Sequence, residues 1–344
     1  MEALEFDLEF EKPLMELAKK IRLMQKEKGE PGNPTKLQEA REELSSRLQE
    51  IYANLSTWET VQVARHKARP HAADYIHLIF DDFMELHGDR AFGDDAALIG
   101  GLATFNAETV IVLGHQKGRG PKEQQLHNFG MPHPEGYRKA YRLMQMAGKF
   151  KFPLICFIDT PGAFPGLADE ERGQAEAIAA NLTLMARLPV PIIAVVIGEG
   201  GSGGALGISV ADRLLMLSYS IYTVASPEAA ASILWRETSF APQAAEAMRI
   251  SAREIIATGI IDGLVPEPVG GAHRNPVLTA SFLKTALKEH MADIKKYSIE
   301  ELLEMRYQKF RSIGNFQRHN SAQQKGTILN FERHFVASTG REDT

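Results

Sequence analysis

Six consecutive apolar residues, Ile192 to Ile197, run without a polar break into a stretch holding Gly198, Gly200, Gly201, Gly203 and Gly204. A run so short and so uniformly apolar predicts a strand covered on both faces. The glycines let the chain turn through positive φ and bring bare backbone close to a ligand. From Ala205 the pattern becomes helix-compatible, and the first N–H groups of such a helix have no acceptor within it, which leaves them for negative charge. The same design lies upstream in LICFIDTPGAFPG, Leu154 to Gly166: an apolar run, the turn Asp159-Thr160-Pro161-Gly162, then a second Pro-Gly. Two strands therefore end in glycine loops that can converge.

The remaining pattern predicts support for this pair. Leu14, Leu17, Ile21 and Met24 recur at helical spacing within Phe10 to Lys28, and GEPGNP at Gly29 to Pro34 breaks that helix. Thr35 with Gln38 reads as a capping box. It opens a helix striped by Leu37, Leu44, Leu48, Ile51 and Leu55, which predicts an α-hairpin suited to subunit contact. The basic residues Arg65, His66, Lys67 and Arg69 read as a solvated loop ahead of a helix from Tyr75 to Leu86. Gly100 to Phe105 and Thr109 to Leu113 read as strands paired about a turn near Asn106, and Tyr137 to Phe150 as a helix. Short strands follow at Arg213 to Leu217 and Tyr222 to Ala225, then a helix towards Trp235 with Ser226 as its cap and Pro227 at its first position. Helices are expected over Ala244 to Ala257 and Pro276 to Tyr297, with a strand between them in Gly259 to Val265. Ser298 with Glu301 starts a last helix that ends near Gly314, before a polar tail that carries Phe331 and Phe335. The organisation expected is a helical extension over 1–57, an α/β body over 58–314 and a tail over 315–344.

Composition narrows the function. With 344 residues, 44% of them hydrophobic, the chain has enough apolar material for one large core or two modest ones. A net charge of −5 gives no general attraction for nucleic acid. The single cysteine, Cys156, lies inside an apolar run and reads as a small buried hydrophobe. The acidic start, MEALEFDLEF, does not resemble a signal peptide, and no stretch approaches the roughly 20 apolar residues of a membrane span. The cytoplasm is the default compartment.

Three motif readings are tested by their missing parts. Gly198-x-Gly200-x-x-Gly203 after a strand has the letters of a dinucleotide fingerprint, but Ser218, Tyr219 and Ser220 stand where the ribose-binding acid belongs. The Gly148-Lys149 pair lacks the rest of a phosphate-binding P-loop. Gly200-Gly201-Ser202-Gly203-Gly204 has the letters of a serine-hydrolase elbow, but no downstream histidine has an evident acid partner. HNFGMPHPEGY, His127 to Tyr137, has no carboxylate or cysteine at ligand spacing, so no metal is expected there. The loop with Lys117, Arg119 and Lys122 suits an anionic ligand. What remains is a site built from backbone donors aimed at an oxygen that becomes negative during reaction.

HQKGRGPKEQQLHNFGMPHPEGYRKA, FIDTPGAFPG, GEGGSGGAL, SPEAAASILW, GIIDGLVPEP and GGAHRNP, in this order, resemble the carboxyltransferase α subunit of bacterial-type multi-subunit acetyl-CoA carboxylase over about Thr35 to Gly314. One departure is Ala229-Ala230, where the family pattern has Gly-Cys. The resemblance implies a crotonase-like (ClpP/crotonase) α/β fold of repeated ββα units, with an N-terminal helical hairpin and C-terminal helices. It implies transfer of a carboxyl group from carboxybiotin, held on a separate biotin carboxyl carrier protein, to acetyl-CoA, giving malonyl-CoA for fatty acid synthesis. It further implies a zinc-bearing β subunit, a biotin carboxylase, an α2β2 core, no metal in this chain, and a cytoplasmic setting, or a plastid stroma in a photosynthetic eukaryote. Gly203 and Gly204 match the family's biotin-side donors, and Gly162, Ala163 and Gly166 the loop that faces them. Lys117 and Arg119 are the candidates for holding an anionic part of a substrate. Two other readings stay open: an acyl-CoA hydratase or isomerase using Glu199 or Asp159 as its base, and a non-catalytic scaffold for the β subunit.

Overall fold

The computed structural model describes residues 6–26 and 34–314. The expected break at Gly29 to Pro34 lies almost wholly outside the described residues, and the polar tail from Asn315 does so entirely. The described residues form one sheet and fourteen α-helices: α1 Lys12–Lys26, α2 Pro34–Ala53, α3 Thr57–Ala64, α4 Ala72–Ile79, α5 Gly120–Leu126, α6 Pro134–Phe150, α7 Leu167–Glu171, α8 Gln174–Arg187, α9 Ser202–Leu206, α10 Pro227–Trp235, α11 Ala241–Met248, α12 Ala252–Ile256, α13 Pro276–Ile294 and α14 Ile299–Ser312. The strands are β1 Asp81–Glu85, β2 Leu98–Phe105, β3 Glu108–His115, β4 Leu154–Thr160, β5 Ile192–Gly201, β6 Arg213–Leu217, β7 Ile221–Thr223 and β8 Gly263–Val265. The chain packs as one unit through Phe310, and a second unit begins at Arg311.

The sheet runs β1-β2-β3-β4-β5-β6-β8, with β7 paired to the far end of β5. β1, β2 and β3 are antiparallel neighbours, and β3 through β6 and β8 pair in parallel. Successive side chains of a strand face opposite ways. Cys156, Ile158, Ala194 and Val196 therefore meet Leu143 and Met144 of α6 and Ala177 and Met185 of α8. Ile155, Phe157, Ile193, Val195 and Ile197 pack on the other face with Ile76 and Ile79 of α4 and Leu283 and Leu287 of α13. Two-sided burial is why β4 and β5 read as unbroken apolar runs. Cys156 is buried and unbridged, and burial raises its thiol well above its usual range.

The helical hairpin forms through Leu14, Ala18 and Ile21 of α1 against Ala40 and Leu44 of α2. It is tied to the sheet-bearing body by a Tyr52–Tyr219 ring contact and by an Arg274–Glu11 ion pair of 2.6 Å. Ser226 caps α10 with Pro227 in its first turn, and Ser298 with Glu301 caps α14, as the sequence predicts.

Four local expectations are corrected. Helix α2 starts at Pro34, so Thr35 lies inside it and Gln38 bonds Glu42 one turn on. The helix expected over Tyr75 to Leu86 stops at Ile79, and Asp81–Glu85 becomes an edge strand because β2 offers it a ladder. The alanine-rich stretch breaks at Arg249, which has φ +53, because Tyr222 N–H donates to the Ile250 carbonyl and pulls that segment to the sheet. The basic stretch after α3 is not a wholly solvated loop: Arg69 is 2% exposed and forks onto Glu267, and buried His66 pairs with Asp7, while Lys67 pairs with Asp7 and stays exposed.

Candidate active site

The two glycine loops meet at the ends of β4 and β5. A Cβ on Gly204 would stand 2.4 Å from the Gly162 carbonyl carbon and 2.5 Å from the Ala163 nitrogen, and a Cβ on Gly201 would stand 2.2 Å from the Pro161 oxygen. Contacts that close require glycine on the β5 side. Gly203 is different: it has room, with Ile178 at 3.8 Å as the nearest atom. As the second and third residues of α9, Gly203 and Gly204 have no acceptor for their N–H groups inside that helix.

The facing loop is held by its own side chain. Thr160 Oγ1 donates to the Gly162 carbonyl at 2.7 Å and accepts the Gly162 N–H at 3.0 Å. That N–H is therefore engaged. Ala163 abuts Gly204, while Gly166 is the N-cap of α7, where its carbonyl accepts the Asp169 and Glu170 N–H groups. A cavity of ≈ 590 Å3 opens beside the loops, lined by Ser202, Gly203, Leu206, Tyr222, Val224 and Ile260 among others.

Ser202 has φ +53 at this strand-to-helix turn, the geometry of an elbow. Among the described residues no imidazole or carboxylate hydrogen-bonds its hydroxyl, so it lacks the base a serine nucleophile needs.

Behind the loops sits a charge cluster that motif reading missed. Lys117 Nζ lies 2.8 Å from Asp159 Oδ1 and 2.7 Å from Glu199 Oε1. Arg65 bridges Glu199 and Glu228 at 2.8 and 2.7 Å, and His71 stands 3.5 Å from Asp159. Burial alone would raise the Asp159 and Glu199 carboxyls, but Lys117, with His71 at the first and Arg65 at the second, holds both below the usual carboxylate range. Burial would likewise lower Lys117, and its two carboxylates raise it instead. A carboxylate held ionised by a buried ammonium at hydrogen-bond distance is a weak general base, which removes the support for a hydratase using Glu199 or Asp159. Lys117 is thus committed to carboxylates and not free to meet a substrate anion. Arg119 is half-exposed and pairs with Asp74 at 2.7 Å, while Lys122 is exposed. The only sequence signal for the cluster was the acid that precedes each loop, Asp159 and Glu199.

A mixed sheet covered on both faces, with neighbouring parallel strands ending in facing glycine loops, defines a crotonase-like carboxyltransferase architecture. Solved structures with this fold include transcarboxylase 12S (TM-score 0.54, 18% identity, 76% of this chain and 46% of that one). A Pseudomonas malonate decarboxylase hetero-tetramer in complex with coenzyme A is also similar (TM-score 0.51, 19% identity, 72% and 92%). A family model described as acetyl co-enzyme A carboxylase carboxyltransferase-like matches residues 7–314, and the chain belongs to that family. Relatives named acetyl-coenzyme A carboxylase carboxyl transferase subunit alpha come from Geobacter metallireducens (53% identity, 91% of this chain and 99% of the relative) and Heliobacterium modesticaldum (54%, 89% and 92%). The chain is accordingly a transferase subunit. No helix among the described residues is long and apolar enough to cross a membrane.

Proposed function

We propose that the chain is the α subunit that moves a carboxyl group from carboxybiotin, carried on a separate biotin carboxyl carrier protein, to the methyl carbon of acetyl-CoA, giving malonyl-CoA. The observation that carries this reading is the backbone contact of Gly204 with Gly162 and Ala163. It seats the first turn of α9 beside a cavity, with backbone N–H groups of Gly203 and Gly204 as the donors for the oxygen that gains charge as carboxybiotin gives up its carboxyl group. Such preorganised donors are worth most where charge develops, because they need no rearrangement during the reaction. The loop from Gly162 through Ala163 to Gly166 serves as the opposing wall. Lys117 and its carboxylates lie behind that wall; Arg119, exposed and forked onto Asp74, would have to leave that carboxylate to meet an anionic part of a substrate.

The biotin nitrogen released from its carboxyl group is a base for the methyl proton, so no side-chain base is required. Biotin arrives on the carrier, and the chain's own contribution is to orient it and to stabilise its oxyanion. A thioester oxygen also gains charge in the acceptor, and we assign the hole for it to a second subunit, because among the described residues one pair of facing glycine loops is present. The exposed Val224 beside the cavity and Ile233 and Leu234 on α10 fit coverage by that partner. We assign that partner as a zinc-bearing β subunit in an α2β2 core, supplied by a biotin carboxylase through the carrier in the cytoplasm.

Reconstitution tests the reading. Purified chain alone is expected to form no malonyl-CoA from carboxybiotin carrier and acetyl-CoA, and addition of the β subunit is expected to restore turnover. Robust turnover by this chain alone, or none by the pair, would contradict it.

A further inference from the structure

The parallel ladder between β4 and β5 is regular from Leu154↔Ile192 to Ile158↔Val196, and the next pair is Thr160↔Gly200. Two residues advance on β4 while four advance on β5, so Ile197, Gly198 and Glu199 bulge where the strands feed their loops. A bulge leaves backbone groups without ladder partners, and at this one side chains take them. Arg69 Nε donates to the Ile197 carbonyl at 2.8 Å, and the Glu199 N–H donates to Asp159 Oδ1 at 3.0 Å. The carboxylates of Asp159 and Glu199 would then repel each other in a buried place, and the Lys117 ammonium sits between them. Its seat is tight: a Cβ on Gly130 would stand 2.5 Å from the Lys117 stem, and one on Gly198 would stand 2.4 Å from Asp159 Oδ1.

We propose that Lys117 is a positioning residue for both glycine loops, its ammonium pinning Asp159 to Glu199 where the backbone ladder breaks and so setting how loop 161–164 meets loop 201–204. Each acid lies directly ahead of its loop, so a shift of either carboxylate passes along a few backbone bonds to the Gly162–Gly204 contact. Lys117 itself comes from the chain after β3, and it therefore couples three neighbouring strand ends.

The role rests on the reading that these loops carry the transfer, and the test keeps the two apart by using one readout that needs no turnover. The full-length chain is assembled with its β subunit as parent, as Lys117→Met, and as Lys117→Met/Glu199→Gln, which removes one positive and one negative charge together. In the single variant, hydrogen exchange of amides 162–164 and 201–204 is expected to speed at least tenfold, with amides 154–158 of β4 and 192–196 of β5 unchanged. Its kcat is expected to fall at least tenfold, with KM for acetyl-CoA within twofold. The double variant, free of the bare carboxylate pair, is expected to recover most of both losses, a rescue that lost packing alone would not give. Loop exchange within twofold of the parent in Lys117→Met, or no recovery in the double variant, overturns the proposal. Faster loop exchange with unchanged kcat supports the clamp and instead sinks the reading that the loops carry the reaction. Should Lys117→Met fail to fold, Glu199→Gln replaces it. Faster exchange confined to 201–204 then supports the clamp, and unchanged exchange in both loops overturns it.

Discussion

The loop after β4 and the loop after β5 begin alike, each with an acid at the strand end and glycines beyond it, and they are held by opposite means. The β4 loop is tied by its own side chain, with Thr160 clasping Gly162 through both of its hydrogen-bonding groups. The β5 loop has no such clasp: it enters α9 at once, through Ser202 at φ +53, and is shaped by close approach of bare backbone to its neighbour. A side-chain clasp uses up the N–H it holds, whereas steric seating leaves N–H groups free. The difference supports the proposal in which one loop is a wall and the other a donor.

A large effect is expected of Gly204→Ala. Its methyl group would collide with backbone on the β4 side, which cannot rotate away, so the loops must separate. We expect destabilisation of about 1–3 kcal/mol, the range for overpacking, and loss of most carboxyltransferase activity. Gly162→Ala meets nothing within 4 Å and suffers only from its φ of +154, so it is expected to cost less than Gly204→Ala. Thermal melts and turnover of both variants check the ranking, and a milder Gly204→Ala would break the contrast.

Thr160→Val removes the clasp while keeping the shape. Two buried backbone groups lose their partner, at about 1–3 kcal/mol for each group left unsatisfied. Exchange should quicken at 162–164 and stay unchanged at 201–204; equal loosening of both loops would show that they are not held separately.

Acid should act beneath both loops. Burial pushes His115, which lies against backbone of Gly204 and Phe157, down to about 4, and burial together with His66 pushes His273 down to about 3. Both are therefore neutral in the native state over a range where the unfolded chain, at about 6.5, takes up protons. Stability present above pH 6.5 is lost as pH falls towards 4, by up to about 1.4 kcal/mol per pH unit for each histidine. Urea midpoints at pH 7, 6 and 5 should fall accordingly, and His115→Leu should show about half the slope. A slope unaffected by that substitution would contradict the assignment.

Much of this was legible in the pattern of residues, and the reasons for the rest are physical. Ile192 to Ile197 could be read as a doubly covered strand because its burial is local to the run. Arg65 and Arg69 were misread because Glu199 and Glu267, their partners, lie 134 and 198 residues away, and no short window contains both members. Asp81–Glu85 followed an amphipathic helix at compatible spacing, and only the β2 edge decided against continuing it. Gly203 and Gly204 were legible as a turn, but that only one of them tolerates a Cβ depends on what stands opposite.

The smallest expected effect is Ser202→Gly. A non-glycine residue in the left-handed region costs roughly 1–2 kcal/mol, partly offset by glycine's larger loss of freedom on folding, so the melting temperature should stay level or rise slightly. A marked fall would show that the serine side chain, not the backbone turn, holds this loop.

The central claim is that Gly203 acts through its backbone N–H, and the most direct measurement is kcat of Gly203→Pro against Gly203→Ala in complexes that assemble normally with the β subunit. Alanine keeps the N–H, has space, and sits outside the left-handed region, so it should turn over within about threefold of the parent, under 1 kcal/mol by the rate relation. Proline deletes the donor and also restricts Ser202 before it, and complexes that assemble normally should lose on the order of 10² to 10³ in kcat with little change in KM. A proline variant within about threefold of the parent, or an alanine variant as impaired as proline, would show that Gly203 is a turn residue and not an oxyanion donor.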